Sequence, residues 1–313
     1  MQPIIDPIDP ELIEKELTPD RFLRPSNKGG NLIYVIDGRE CPATMSEIGR
    51  LREESFRAAG GGTGKSVDID EFDTMDPPCR QLLVWDPEDK IILGGYRFII
   101  GKDIRLDSDG RPRIATGHIF NFSDRFVREL LPYTIELGRS FVRLHYQSSQ
   151  AGAKALFALD NLWDGLGALT VEYPEIKYLF GKMTMYPSYD RTCRDLILYF
   201  LQKHFPDPDM LVWPIRPIDA TADMDEMKAL FTGESFKEDY RILNSEVRKH
   251  GFNIPPLVNS YMSLSPTMKM FGTAINDEFG DVEESGIFIA ISDIFEEKKQ
   301  RHIGTYHPSL TEI

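Results

Sequence analysis

The sequence predicts a mixed α/β fold, with a mostly antiparallel central sheet flanked by helices. Three observations carry this. The apolar runs "QLLVWD" (81–86) and "KIILGGYRFIIG" (90–101), joined by "PED", read as an antiparallel hairpin. From 133 to 205 the pattern alternates strand, helix, strand, helix, as βαβ units do. With 313 residues, 41% of them hydrophobic and 27% charged, the chain is long enough to bury a core in one or two domains.

The elements follow in order. Residues 1–30 read as an arm with a short helix near Pro10–Leu17, and "NLIYVID" (31–37) as a first strand. "TMSEIGRLREESFRAAG" (44–60) reads as a helix: Thr44 and Glu47 have capping-box spacing, Ile48, Leu51 and Phe56 keep helical period, and Gly60 ends it. An acidic extended stretch, "VDIDEFD", leads into the hairpin, and "IATGHIFNFS" (114–123) reads as a further strand before a short helix (124–131). "YTIELGRSFVRLHY" (133–146) is a strand by its apolar and β-branched content, 149–173 a long helix, "IKYLFGKMTM" (176–185) a strand and 188–205 a helix opened by Ser188 or Asp190. The C-terminal third offers one helix, the strand "GIFIAIS" (286–292) and a tail, "EEKKQRHIGTYH", expected to be solvated. The expected organisation is the arm, a core over 31–205, and an extension over 206–313 that completes the same domain.

Composition excludes several functions. Thirty-six Lys and Arg against fifty Asp and Glu give a formal charge of −14, which repels nucleic acid. Cys41, Cys79 and Cys193 lie far apart without a CxxC pair, arguing against a disulfide framework or zinc site and for a reducing cytoplasm. No run approaches the roughly 18 apolar residues of a membrane helix, and the acidic start is unlike a secretory signal. The histidines show no metal-ligand spacing, and no serine elbow appears.

Two motifs are decoys. "AGGGTGKS" (59–66) fits a loose phosphate-loop pattern, but a helix precedes it and an acidic extended segment follows. A phosphate loop needs a strand before and a helix after, so this reads as a mobile glycine-rich loop. "HFPDPD" pairs His204 with Asp209 at acyltransferase spacing, but across two prolines at a helix end, where a turn is expected.

What remains is a constellation: Arg52 and Phe56 in "RLREESF", Asp70 and Asp73 in "DIDEFD", Arg97 in "GGYRF", then Glu136, Arg139 and Phe141 in "ELGRSFV". In this order and spacing it resembles the acyl-homoserine-lactone synthases. It is more similar still to the bacterial ornithine- and glycine-lipid N-acyltransferases, also called haemolysin-like, within the wider GCN5-related N-acetyltransferase (GNAT) fold. "NIPPLVNSYMSL" (253–264) resembles a Pro-Pro-Leu segment of the lipid enzymes.

The resemblance implies amide formation, in which a free amine attacks the thioester of a long, 3-hydroxylated acyl chain carried on acyl carrier protein. The amine of a small amino acid, glycine first and ornithine second, is the implied acceptor. An ammonium must lose a proton before attack, which asks for a carboxylate in reach, and a substrate carboxylate suits an arginine fork. By position, Glu136 is the candidate base. Arg139 and Arg97 brace the acidic loop or bind substrate carboxylate, Asp70 and Asp73 hold the amine or order the loop, and Arg52 pairs with them. A purely architectural ion-pair network is the competing account of the same residues. Phe56 and Phe141 are implied substrate-side residues, and Phe120, Phe122, Leu156 and Phe180 an acyl slot, with core packing as the alternative.

In that fold a Gln/Arg-x2-Gly-x-Gly/Ala loop cradles coenzyme A. Here "SSQAGAK" (148–154) supplies Gly152, Ala153 and Lys154 but lacks the leading Gln/Arg, which suits a carrier-protein phosphopantetheine better than acyl-CoA. No permanently bound cofactor is implied. An acidic carrier would need a basic face, for which Arg143, Lys154, Lys182, Arg191, Arg194 and Lys203 are the candidates, and a peripheral membrane contact stays open. The alternatives are a signal-type synthase and a non-catalytic module binding acyl chains or carrier protein.

Overall fold

The hairpin is where the sequence is most strongly patterned, and the structure builds outward from it. In this computed structural model the described residues are 1–147, 152–218 and 223–308; for 152–156 the description stops at the backbone. Strands β3 (Arg80–Asp86) and β4 (Ile91–Ile100) pair antiparallel, as the two apolar runs predict. The fold is mixed α/β, its strands mostly antiparallel and its sheet flanked by helices.

The chain divides into two compact units. The first comprises Met1–Ala115, Leu131–Lys177 and Glu296–Ile313; the second Thr116–Leu130 and Tyr178–Phe295.

The first unit runs through α1 (Pro10–Glu16), β1 (Phe22–Pro25), β2 (Leu32–Asp37), α2 (Pro42–Ala59) and the single-turn α3 (Glu71–Thr74) to β3 and β4. It continues with β6 (Thr134–Val142) and α4 (Gly152–Glu172). Its strands lie in the order β1-β2-β3-β4-β6, each pair antiparallel. Alternation sorts the side chains: Ile33 and Leu82 turn to α4, where Gly165 leaves room for both. Gln81, Arg97 and Glu136 turn to the opposite face, that of α2.

Helix α2 begins two residues before the predicted Thr44, and its N-cap Cys41 makes no side-chain cap bond. The cap comes from outside the helix: Glu16 of α1 accepts from the amides of Ala43 (3.0 Å) and Thr44 (2.8 Å) and from the Thr44 hydroxyl (2.7 Å). Glu47 is not a capping-box partner but grips Arg50 at 2.6 Å. Gly60 does end the helix, with φ +97° in the left-handed region. The arm also holds a strand the sequence did not announce, β1, where Arg24 and Pro25 mask the apolar pair.

The second unit holds β5 (Phe120–Phe122), β7 (Tyr178–Met185), α5 (Arg191–His204), β8 (Val212–Pro214), α6 (Met224–Leu230), α7 (Phe236–Lys249), α8 (Pro256–Met262), β9 (Lys269–Asn276) and β10 (Val282–Ala290). Its sheet order is β7-β10-β9, antiparallel throughout, with β5 and β8 paired separately. Phe122, Phe126, Phe180, Phe271 and Phe288 form one aromatic cluster, with centroid separations of 5.4–6.3 Å. The strand predicted over 114–123 shrinks to three residues because the Thr116 carbonyl accepts from both Ile119 and Phe120 amides, a turn rather than a ladder. The predicted helix at 124–131 appears as a five-residue π turn over Phe126–Leu130.

The tail expected to be solvated is instead α9 (Glu296–His302), which returns to α4 of the first unit. Gly167 permits the approach, since a Cβ there would stand 2.2 Å from the His302 carbonyl oxygen. Asp164, nearly fully buried, lies 2.8 Å from His302 Nδ1 and accepts from the Asn27 amide (2.9 Å) and side chain (2.7 Å). Removing that carboxylate leaves the buried His302 imidazole without its partner and unties Asn27, so Asp164→Ala is expected to cost about 2–4 kcal/mol, measured as a lowered urea midpoint at unchanged slope.

Candidate active site

The acidic stretch 68–73 is held against α2 by small-residue contact. Gly49 is the contact point: its carbonyl accepts from the Asp68 amide at 3.0 Å, and a Cβ would meet Ile69 at 2.8 Å. Asp70 then caps α3, accepting from the Phe72 amide, while Asp73 accepts from the Asp70 amide at 3.1 Å. This is the capping box that the sequence placed at Thr44 instead.

On β6 the register with β4 slips. Gly95 faces Phe141 and Arg97 faces Gly138, so β6 carries one extra residue in this interval. Arg139 lies inside it with φ +48°, a left-handed conformation costly for a residue with a Cβ. The bulge directs its guanidinium to the acidic stretch, with Nε 2.8 Å from Asp68 and Nη2 3.3 Å from Asp70.

The result is a linear array of alternating charge: Arg52, Asp73, Arg97, Asp70, Arg139, Asp68. Arg52 Nη1 is 3.3 Å from Asp73; Arg97 Nη1 is 3.3 Å from Asp73 and 2.6 Å from Asp70. Gln81, which the sequence reading passed over, locks the inner end by accepting from Arg52 at 2.5 Å and donating to Asp73 at 2.9 Å. Its signal was a lone amide in an apolar strand, and that of Asp68 its place as a third acid in the same loop. Exposure is confined to one pair of the array. Arg52, Asp73 and Asp68 side chains are sealed at 0%, whereas Arg139 is 13% and Asp70 22% exposed.

Burial alone would push the Asp70 carboxyl up. The Arg97 charge and hydrogen bond, then the charges of Arg139 and Arg52, outweigh it and hold the group well below the ordinary carboxylate range. Glu136 lies on the same sheet face, opposite Ile99 and 2% exposed. The nearby Cys79 thiol is pushed far up, by burial first, with Arg97 opposing and the charges of Glu136, Asp73 and Asp70 adding.

Phe56 and Phe141 are buried packing groups, Phe141 covering Gly95 at a distance that would bring a Cβ there to 3.0 Å. Gly152 opens α4, and the contacts of Gly152, Ala153, Lys154 and Leu156 lie outside the described residues. Phe120 and Phe180 are fully buried, and Phe122 stacks on Phe126, so these rings fill the core of the second unit rather than line an open slot. The proposed basic face is not free either. Lys182 is 2.5 Å from Glu284, Arg194 is 2.7 Å from Glu283, Arg191 pairs with the same Glu283, and Lys203 is 2.6 Å from Asp239. His204 also turns to Asp239, at 2.8 Å, leaving Asp209 to Lys269 and Arg125. The glycine-rich loop is tied down by Glu53, which accepts from the Thr63 and Gly64 amides, and it carries no preceding strand.

A family model described as an acetyltransferase (GNAT) domain matches residues 51–156. Over its whole length the chain is 62% identical to the glycine N(alpha)-acyltransferase of Bacteroides thetaiotaomicron, covering 94% of that protein. It is 60% identical to the enzyme of the same name from Phocaeicola vulgatus, covering 97%. The chain belongs to the glycine N(alpha)-acyltransferase family. Among solved structures, the acyl-homoserine-lactone synthase LasI is similar at 12% identity and a TM-score of 0.41, over 88% of this chain and 96% of that one. Membership makes the chain an N-acyltransferase, and the matched GNAT segment contains every member of the Arg–Asp array together with Glu136.

Two outcomes follow. Arg52→Leu strips buried Asp73 of one of its two cationic partners and leaves the Gln81 carbonyl without its donor, and it is expected to cost about 3–5 kcal/mol, read in urea unfolding. Because the Asp70 carboxyl is depressed on folding, its contribution is present above the unfolded value near about 3.9 and is lost as pH falls through the lower folded value. Asp70→Asn is therefore expected to flatten the acid limb of stability below about pH 4, measured by thermal melts from pH 6 to 2.

Proposed function

We propose that the protein transfers a long acyl chain from a thioester to the α-amine of glycine, with the partly exposed Asp70–Arg139 pair of the Arg–Asp array as the amino-acid site. The observation that carries this is the full-length kinship with glycine N(alpha)-acyltransferases. The geometry of the array supports it. Arg139 offers a planar cation for the glycine carboxylate and Asp70 an anion for the ammonium, 3.3 Å apart where the array reaches solvent.

The division of labour follows from basicity. A carboxylate held as low as Asp70 attracts an ammonium but takes up its proton poorly. We assign proton removal to Glu136, acting through a water because its side chain is almost wholly covered. The freed nitrogen attacks the thioester carbon, a C–N bond forms, and the oxyanion collapses with cleavage of the C–S bond; the thiolate released takes up the proton that the attacking nitrogen gives off. Arg52, Asp73 and Gln81 hold Arg97 and Asp70 in register without touching substrate.

The donor we favour is acyl carrier protein, because Ser149 stands where the coenzyme A loop would carry its Gln/Arg, three residues before Gly152. Acyl-CoA is the second reading, favoured by the internal pairing of Lys182, Arg194 and Lys203, which removes cations from a docking face. The product belongs to aminolipid synthesis, and ornithine is the acceptor to set against glycine.

Purified protein given palmitoyl thioesters on either carrier, with glycine or ornithine, is expected to release N-palmitoylglycine detected by mass spectrometry. Glu136→Gln is expected to lower kcat about 100-fold or more with little change in donor KM, and Arg139→Met to raise the glycine KM about tenfold. Equal turnover of glycine and ornithine, or a Glu136→Gln enzyme of normal kcat, contradicts the assignment.

A further inference from the structure

A long acyl tail must be kept from water while its thioester reacts, and the rings first expected to shelter it are solid core. The second unit has an opening of another kind. A cavity of about 460 Å³ lies among α5, the segment 206–218, α6 and β9, lined by Met210, Trp213, Met224, Met227, Met270 and Phe271. That volume is within the roughly 300–1,000 Å³ of small-molecule sites.

The lining is chemically suited to a hydrocarbon. The carboxylates that reach it are already engaged: Asp195 with Arg194 at 2.6 Å, and Asp207 with the Leu211 amide at 2.6 Å and Lys269 at 3.3 Å. The Thr273 hydroxyl is bonded to Ser285 at 2.7 Å. Prolines 206, 208, 214 and 217 bring backbone without N–H donors to the wall. Four methionines offer flexible, polarisable walls that adapt to a chain of variable length.

The mouth is apolar as well. Of the lining side chains, Met210 is 61% and Met224 50% exposed. Leaving such side chains in water is unfavourable unless something apolar enters between them. At its inner end the cavity reaches Phe271, which packs against Phe126, Phe180 and Phe288 and closes the far wall with the aromatic cluster.

We infer that this methionine-lined cavity of the second unit is an alkyl-chain site that takes the hydrocarbon tail of the acyl substrate; the inference rests on the long-chain acyltransferase reading given above. The polar head of the ligand stays at the mouth, and chain length is read by how far the tail reaches toward Phe271.

The test uses the full chain and a palmitate carrying a diazirine near its methyl end. Irradiation is expected to label peptides spanning 206–218, 223–230 or 269–273, with the label suppressed by excess palmitate. Met210→Ser, at an exposed position that leaves folding intact, is expected to weaken palmitate binding roughly three- to tenfold. Met270→Trp, which fills the cavity, is expected to lower kcat/KM at least about tenfold more for hexadecanoyl than for octanoyl thioesters.

Labelling elsewhere in an enzyme that still transfers acyl chains overturns the cavity assignment and leaves the functional reading standing. Labelling of the cavity in a protein that acylates no amine upholds the site and removes the functional reading. Capture by phosphatidylcholine vesicles that soluble palmitate does not compete identifies the patch as a membrane contact and overturns the proposal.

Discussion

The first unit depends on making buried charge tolerable. An arginine and an aspartate taken out of water each cost several kcal/mol, and one partner rarely repays that. Here the interior charges have partners on both sides: Asp73 lies between Arg52 and Arg97, and Asp70 between Arg97 and Arg139. Three elements of different sequence origin, α2, the 68–73 stretch and the β4–β6 pair, are thereby fixed to one another. The same arrangement keeps Arg139 in a backbone conformation it would not adopt alone, because the two carboxylates it reaches hold it there.

The array is not uniform along its length. Arg52 and Asp73 have no solvent exposure, and a glutamine completes their bonds. Asp70 and Arg139 combine partial exposure, opposite charge and a carboxyl held well below the ordinary range, and Asp68 beyond them is sealed again. On the function proposed above, the ion-pair scaffold and the substrate contact would be parts of one array.

Much of this was legible before any coordinates. Hairpin β3–β4, helices α2, α4 and α5 and strands β2, β6, β7 and β10 follow from uninterrupted apolar periodicity, which propensity and burial both favour. What escaped has local causes. β1 is four residues long with an arginine and a proline, β9 is broken by Gly272, and α6 follows a proline-rich stretch. The cap on α2 was invisible because its carboxylate comes from Glu16, far back in the chain. Five of the six array residues were legible through the order and spacing of motifs that resemble a known family, but Asp68 was not, nor was the depth of any of them. Pattern alone also counted Lys182 and Arg194 as free cations, when each has a buried glutamate beside it.

The return of α9 to α4 has a consequence for how the chain is made. The first unit is assembled from three segments, and the two segments of the second unit alternate with them along the chain. On the ribosome, both segments of the second unit must therefore emerge before His302 can meet Asp164. The first unit is begun first and finished last, and a nascent chain halted before residue 296 would carry an open seam along α4.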